Sequence, residues 1–150
     1  AMIGRVNFRI KEKDEGRIVT GGRVPENSVC SKGFFFEPTL VADVPRESRL
    51  LKEEVFGPVL PVVQVKDLDE AIEEANNTCY GLGASLWTKN LDKARKGCEQ
   101  LNAGIIWLNQ HLKIAPEVPF GGAGQSGIGK ENGPDSLSEY LDLKTVMLKT

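Results

Sequence analysis

The chain has 150 residues, of which 40% are hydrophobic and 27% are charged, and 19 Lys and Arg residues nearly balance 21 Asp and Glu residues. This length and composition are typical of one soluble globular domain, and the near balance of charge argues against binding to nucleic acid or an anionic membrane. Three cysteines without C-x-x-C spacing and a single histidine argue against a disulfide framework or a metal site, so we expect reduced thiols and a cytoplasmic location. No run approaches the roughly 18 apolar residues of a membrane span, so we expect no such span.

The first third of the chain is predicted to contain one helix and two strands. Residues 5–16 are polar and end at a glycine, which favours a helix that stops there. Residues 17–20 form a short strand candidate, and the glycine-rich, proline-containing stretch 21–33 is a loop. Residues 34–41 are apolar but contain Pro38, which indicates an edge or bulged strand.

A strand followed by a capped helix is predicted in the centre. Residues 59–65 are almost continuously apolar and β-branched, as in a strand that is buried on both faces. Asp67 is a favourable N-cap, and Glu70 occupies the capping-box position three residues later. We therefore expect a helix from Asp67 to about Ala75.

Two more strands and a second helix follow. Residues 82–88 and 103–108 are strand candidates, and residues 90–101 form a helix between them, with Ala94, Cys98 and Leu101 on its inner face. The alternation of strands and helices predicts an α/β fold: a mostly parallel sheet with flanking helices and two right-handed crossovers.

The composition of the chain changes over about the last forty residues. Residues 109–129 hold many prolines and glycines and are not expected to form a regular element. A helix is predicted to begin at Pro134 and to run to Tyr140. Residues 143–149 form a terminal strand candidate whose unpaired edge favours association with another chain.

The glycines from Gly122 to Gly127 satisfy the dinucleotide-binding spacing G-x-G-x-x-G. That pattern is informative only where it follows a strand and opens a helix. Prolines precede the pattern and Gly129 and Gly133 follow it, so we reject a Rossmann interpretation here.

The most specific segment is K-E-E-V-F-G-P-V at residues 52–59. Gly57 and Pro58 set a tight turn before a strand, so the residues ahead of the turn are held firmly. A carboxylate at Glu53 or Glu54 could accept hydrogen bonds from the vicinal hydroxyls of a ribose. The alternative is that both glutamates merely solvate the end of a short helix.

Six motifs along the chain decide whether these glutamates are interpreted as a ribose-binding site or as a solvated helix end. They are G-F-F-F-E-P-T-L at 33–40, E-E-V-F-G-P-V at 53–59, A-N-N-T-C-Y-G-L at 75–82, G-I-I-W-L-N at 104–109, P-F-G-G at 119–122 with Q-S-G at 125–127, and E-Y at 139–140 with K-T-V at 144–146. In order and spacing, they resemble motifs in the C-terminal portion of the aldehyde dehydrogenase superfamily. The resemblance implies part of its catalytic domain over residues 1–141 and a terminal oligomerisation strand over 142–150.

The resemblance also implies a reaction. A family member oxidises an aldehyde to a carboxylic acid through a cysteine thiohemiacetal, with NAD or NADP as the hydride acceptor. Glu54 would bind the nicotinamide ribose, and Phe56 would pack beside the nicotinamide.

The resemblance places a substrate site further along the chain. Asn109 matches a structural asparagine near the active-site floor, and Phe120 matches an aromatic wall of the substrate tunnel. Residues 110–118 match the variable substrate loop, in which the specificity candidates are His111, Lys113 and Ile114. For His111 we favour a hydrogen-bonded loop histidine with no catalytic duty.

The expected nucleophile is missing. The family carries its reactive cysteine in a G-Q-x-C context and its general-base glutamate near E-L-G-G, and neither string occurs here. Cys30 lies in a polar loop, and Cys79 and Cys98 are predicted to be small core residues. We therefore predict no catalytic residue in this chain, no turnover and no bound cofactor when it is alone. The alternative function is a structural module that self-associates through residues 143–149.

Overall fold

The computed structural model describes residues 15–26 and 29–150. All but the end of the predicted helix at 5–16 lies outside these residues. The chain divides into two compact units, residues 1–66 and residues 67–150, and each is described by itself. The elements are β1 (Arg17–Thr20), β2 (Thr39–Ala42), α1 (Arg49–Lys52), β3 (Val59–Pro61), α2 (Leu68–Asn76), β4 (Gly83–Leu86), α3 (Leu91–Gln100) and β5 (Ile105–Leu108), with short 3₁₀ helices at Cys30–Lys32, Gly124–Ser126 and Ser136–Tyr140.

The first unit contains a three-stranded sheet in the order β1-β2-β3. β1 runs antiparallel to β2, with a shift of register between Ile18 and Thr20, whereas β2 and β3 run parallel. The prediction for β1 is confirmed. β2 begins later than predicted, after Pro38, because a proline has no amide hydrogen to donate to a ladder.

A small apolar cluster underlies this sheet. Val41, Val44 and Leu50 are buried, and Val55 and Val59 pack against them. The helix α1 begins at its N-cap Ser48, whose hydroxyl accepts a hydrogen bond from the amide of Leu50 at 3.1 Å.

The expectation that the central strand is buried on both faces is wrong for this chain. Leu60 in β3 is 60% exposed, and Val62 just beyond the strand is also exposed. The apolar cluster covers one face of the strand, and nothing in the described part of the chain buries Leu60 on the other.

The second unit contains the predicted β4–α3–β5 crossover. β4 and β5 pair in parallel from Gly83 with Ile105 to Leu86 with Leu108. The capped helix is confirmed as α2, because the Asp67 carboxylate accepts a hydrogen bond from the amide of Glu70 at 2.9 Å. The other predicted crossover is not formed: β3 pairs with β2, and β4 and β5 make a separate two-stranded sheet.

The predicted inner face of α3 needs a correction. Cys98 is exposed, and the buried residue of the helix is Gly97, where an added Cβ would lie 2.4 Å from a methyl group of Leu86. Cys79 is exposed as well, so neither cysteine is a core residue. The helix approaches β4 through a position without a side chain, one residue before the one predicted.

The C-terminal segment is largely irregular. The helix predicted from Pro134 is a 3₁₀ helix at Ser136–Tyr140, and residues 141–150 are exposed and form no strand. Residues 143–149 pair with no strand among the described residues, and association through them stays a prediction. Among the described residues, no helix is long and apolar enough to cross a membrane.

Candidate functional site

Glu53 ends the helix α1, and both its backbone and its side chain bond to a residue of that helix. Its amide donates to the carbonyl of Arg49 at 2.8 Å, and its carboxylate pairs with the Arg49 guanidinium at 2.7 Å. This is an ordinary pair of side chains four residues apart on a helix. The interpretation of a glutamate that solvates a helix end therefore describes Glu53.

Glu54 has a different environment. Val55 packs against the apolar cluster, while Glu54 before it and Phe56 after it are exposed, Phe56 to 67%. The Glu54 carboxylate makes no hydrogen bond to any residue in the described part of the chain. An acceptor and an aromatic face are thus presented to solvent two residues apart.

The backbone behind this pair is fixed by a turn. The amide of Val59 donates to the carbonyl of Gly57 at 2.8 Å, and the amide of Thr39 in β2 donates to the carbonyl of Pro58 at 2.8 Å. The chain entering β3 is therefore tied to the neighbouring strand. A carboxylate accepts hydrogen bonds and a ribose diol donates them, so Glu54 and Phe56 fit the nicotinamide-ribose end of a dinucleotide.

The second unit holds the candidate substrate residues. Asn109 follows β5 with a left-handed backbone, at φ 53°. Its side-chain oxygen accepts from the amide of Thr88 at 2.8 Å, and its side-chain nitrogen donates to the carbonyl of Thr88 at 2.9 Å. Its own amide donates to the carbonyl of Leu86 at 2.9 Å. Asn109 therefore joins the ends of β4 and β5, and asparagine is among the residues that tolerate this conformation best.

Trp107 anchors the loop of residues 110–118. Its ring is buried, and its indole nitrogen donates to the carbonyl of Lys113 at 2.7 Å. On β4, Gly83 leaves space for the ring, since an added Cβ there would lie 2.4 Å from it. The loop is thus held to a fixed point on the sheet.

His111 is hydrogen-bonded as expected from the sequence. Its Nδ1 lies 2.6 Å from the hydroxyl of Ser85 on β4, and its ring meets Trp107 edge-on, with centroids 5.6 Å apart. The bond draws the loop onto β4 at a second point.

Several side chains of the loop are apolar and exposed. Leu112 has φ 54° and is 64% exposed, and Ile114 and Val118 are about half exposed. A left-handed backbone costs about 1–2 kcal/mol in a residue with a Cβ. Leucine lacks the short polar side chain that lets asparagine offset that cost.

Phe120 is half-buried and begins the P-F-G-G segment. It forms two backbone hydrogen bonds with Glu131, at 2.6 and 2.7 Å. The ammonium group of Lys130 donates to the carbonyls of Gly121 and Gly122 at 2.9 and 3.2 Å. No local pattern predicts this role for Lys130, because a lysine in a glycine-rich loop is ordinarily a solvated charge.

The G-x-G-x-x-G stretch is a packed turn. Gln125 donates its amide to the carbonyl of Cys79 at 2.9 Å, and the hydroxyl of Ser126 accepts from the amide of Gly81 at 2.9 Å. A 3₁₀ turn at Gly124–Ser126 takes the place of the helix that phosphate binding requires. The stretch therefore does not open the α-helix that the Rossmann pattern calls for.

The three cysteines of the chain are not buried. Cys30 is half-exposed in a 3₁₀ helix, and Cys79 and Cys98 are exposed. His111, the one histidine of the chain, is bonded to Ser85. Within residues 15–26 and 29–150, no group of three or more His, Cys, Asp or Glu residues could hold a metal ion.

Comparison with known proteins identifies relatives over nearly the whole chain. Residues 6–146 match the model of the aldehyde dehydrogenase family. The mouse protein "Aldehyde dehydrogenase, cytosolic 1" is 46% identical over 119 residues, which are 79% of this chain and 24% of the relative. The chain spans about a quarter of the length of the curated relatives it matches.

Solved structures agree with this result. Lactaldehyde dehydrogenase from Escherichia coli superposes with a TM-score of 0.90 and 36% identity, over 99% of this chain and 31% of that one. PnpE from Pseudomonas sp. WBC-3, also solved in complex with nicotinamide adenine dinucleotide, gives a TM-score of 0.88 and 40% identity, over 93% of this chain and 29% of that one.

Proposed function

Because the chain belongs to the aldehyde dehydrogenase family, we propose that it supplies the nicotinamide-ribose contact and part of the substrate wall of an enzyme that oxidises aldehydes to carboxylic acids. One observation carries the proposal. Glu54 offers an exposed carboxylate beside Phe56 on a turn tied to β2, whereas the neighbouring Glu53 is paired with Arg49. Two adjacent glutamates with such different surroundings have different roles.

NAD or NADP, when bound, supplies the hydride acceptor. Glu54 accepts hydrogen bonds from the ribose hydroxyls, each worth about 1.5–3 kcal/mol because the acceptor is charged. Phe56 offers its exposed ring to the nicotinamide. The complex of PnpE with nicotinamide adenine dinucleotide supports this cofactor class. Both residues contact only one end of the dinucleotide, so this chain alone binds it poorly.

The substrate wall is formed from the second unit. Phe120 and Ile114 contact the aldehyde, and Asn109 acts by holding the ends of β4 and β5, from which the substrate loop departs. Both ends of the Asn109 amide bond Thr88, which supports a positioning role more than direct contact with the substrate.

None of the three cysteines of this chain is the nucleophile. They lack the G-Q-x-C context, and the E-L-G-G segment of the general base is absent from the 150 residues. The chain alone therefore forms no acyl-enzyme.

Intact mass spectrometry tests this point. The chain is incubated with propanal and NAD beside a complete aldehyde dehydrogenase as the positive control. We expect no NADH and no acyl adduct on the chain. An acyl group on Cys30, Cys79 or Cys98 would contradict the proposal.

A chimera tests whether the chain can supply the proposed cofactor contact and substrate wall in a complete enzyme. The chain replaces the matched segment of Escherichia coli lactaldehyde dehydrogenase, to which it is 36% identical over 99% of its length. We expect a folded enzyme that reduces NAD in the presence of an aldehyde. A folded chimera without activity would refute the assignment.

A second candidate function is self-association, as a homo-oligomer through residues 143–149. Leu143, Val146, Met147 and Leu148 are all at least 80% exposed, and an exposed apolar segment can pair with the edge of a sheet in another chain. Light scattering of the chain with and without residues 142–150 tests it. A monomer at all concentrations before truncation would refute it.

A further inference from the structure

Glu15 is a buried carboxylate to which the proposed reaction gives no role. It is 6% exposed and lies two residues before β1 begins. The residue between them, Gly16, has φ 113°, and a Cβ added to it would lie 2.7 Å from the carbonyl oxygen of Ala42 at the end of β2. Only glycine suits such a backbone and such a close approach, so the chain that carries Glu15 is held firmly against the sheet.

The carboxylate of Glu15 bonds to the start of the helix α1. One of its oxygens accepts a hydrogen bond from the hydroxyl of Ser48, the N-cap, and another from the amide of Leu50 at 3.4 Å. These partners lie 33 and 35 positions further along the chain. Ser48 and Leu50 are themselves buried, so water does not compete for these bonds. The sheet and the helix start are therefore joined through one side chain.

The helix α1 depends on such bonds because it is a single turn. It contains only the four residues Arg49–Lys52 and is about 6 Å long, and a helix of that length is not stable by itself. Leu50 packs into the apolar cluster, but apolar contact has little directional preference. Hydrogen bonds are directional, so the bonds to Glu15 fix where the turn begins and how it is oriented.

The orientation of this turn determines where Glu54 lies. Glu53 closes the turn by donating its amide to the carbonyl of the first helical residue at 2.8 Å, and Glu54 follows at once. Val55, the next residue, packs against the same apolar cluster as Leu50. Glu54 is therefore held between a turn that Glu15 orients and a residue that the cluster holds. A displacement of the turn moves the Glu54 carboxylate with it.

From these contacts, and resting on the proposed function, we propose that Glu15 is a positioning residue for the cofactor contact. It acts through Ser48 and α1 and sets the place of the Glu54 carboxylate relative to the sheet. A carboxylate is costly to bury, and an apolar side chain of similar size would fill the same space at less cost. What position 15 requires is an acceptor, so glutamine can replace Glu15 and methionine cannot.

The amide signals of the 15N-labelled chain test the link from Glu15 to Glu54. Glu15→Met removes the acceptor, whereas Glu15→Gln keeps one acceptor oxygen. We expect Glu15→Met to shift the signals of Glu54 and Phe56, and Glu15→Gln to leave them close to those of the parent. Unshifted signals in Glu15→Met would overturn the proposal. If Glu15→Met does not fold, Ser48→Ala takes its place: the bond to Leu50 survives, so a smaller shift of the same signals is expected, and no shift would again overturn the proposal.

A double-mutant cycle in the chimera separates positioning from a purely structural role. Glu15→Met should lower kcat/KM for NAD about fivefold, but less than about twofold where Glu54 is already replaced by alanine, because the contact that Glu15 positions is then gone. Glu15→Gln should stay near the parent. Asn90→Ala is the matched control, since it removes an N-cap in the second unit, and it should change kcat/KM less than about twofold in both backgrounds. Equal losses for Glu15→Met with and without Glu54 would make Glu15 a structural residue and refute the proposal.

Failure here differs from failure of the proposed function. An active chimera in which Glu15→Met has no effect, or an effect independent of Glu54, removes only the positioning role. A folded but inactive chimera removes the proposed function, whatever the amide signals give, and the signals of the chain then still decide whether Glu15 controls the position of Glu54.

Discussion

Asn109 offers the sharpest test of how the substrate loop is supported. Its amide makes two hydrogen bonds with the backbone of Thr88, at 2.8 and 2.9 Å, and its backbone is left-handed at φ 53°. Replacing it with alanine removes both bonds and puts a less tolerant residue into that conformation. Replacing it with glycine removes the same bonds and accepts the conformation without strain.

Comparing the two substitutions therefore separates the contribution of the two hydrogen bonds to the free energy of unfolding from the contribution of the left-handed backbone. The bonds are exposed to solvent, so each contributes about 0.5–1 kcal/mol. The left-handed backbone adds about 1 kcal/mol for alanine. We expect Asn109→Ala to lower the free energy of unfolding by about 2–3 kcal/mol and Asn109→Gly by about 1–2 kcal/mol.

Urea denaturation followed by tryptophan fluorescence measures both. The chain has two tryptophans, Trp87 and Trp107, and both lie in the unit that contains Asn109. The signal therefore reports the unit of interest, and a constant m-value would show that only stability has changed. If both variants stay within about 0.5 kcal/mol of the parent, the amide bridge does not support the loop and the reasoning is wrong.

Three other substitutions probe the framework. Asp67→Ala should cost about 1 kcal/mol of unfolding free energy through the lost N-cap of α2, measured by the same urea titration. Gly83→Ala should cost about 1–3 kcal/mol because the new methyl group meets Trp107, and the tryptophan emission should move to longer wavelength. Lys130→Met should speed hydrogen exchange at the amide of Phe120, since the two glycine carbonyls beside it lose their ammonium donor. Unchanged exchange would contradict the idea that Lys130 holds this segment in place.

Local signals in the sequence predicted the local structure well. The helix after Asp67 was predictable because its capping residue and its apolar spacing agree. The helix of residues 91–100 lies within the predicted range of 90–101, and the side chain of Asn90 caps it by accepting a hydrogen bond from the amide of Lys93. These features depend on neighbours within four residues, which the sequence displays directly.

Features that depend on distant partners were less predictable. The strand containing Leu60 was expected to be covered on both faces, and the inner face of α3 was expected to include Cys98. The first depends on which elements cover the sheet, and the second on how closely α3 approaches Leu86. Neither is encoded in the local pattern.

The candidate site shows the same division. A carboxylate before the Gly57–Pro58 turn was predictable from the motif, and the resemblance chose Glu54 over Glu53. The pairing of Glu53 with Arg49 joins neighbours on the same helix and was not foreseen. The attachment of His111 to Ser85 joins residues 26 positions apart, so no local signal exists for it. The roles of Glu54, Phe56, Phe120 and Ile114 remain predictions to be tested.

The most direct test of the account is the activity of the chimera with Glu54→Gln, compared with Glu53→Gln as the matched control. Glutamine keeps the size of the side chain but removes the charge that strengthens its bonds to a ribose. We expect Glu54→Gln to lower kcat/KM for NAD about tenfold or more, equivalent to about 1.5 kcal/mol, and Glu53→Gln to change it less than about twofold. Equal effects of the two substitutions, or full activity in Glu54→Gln, would contradict the assignment of Glu54 to the cofactor.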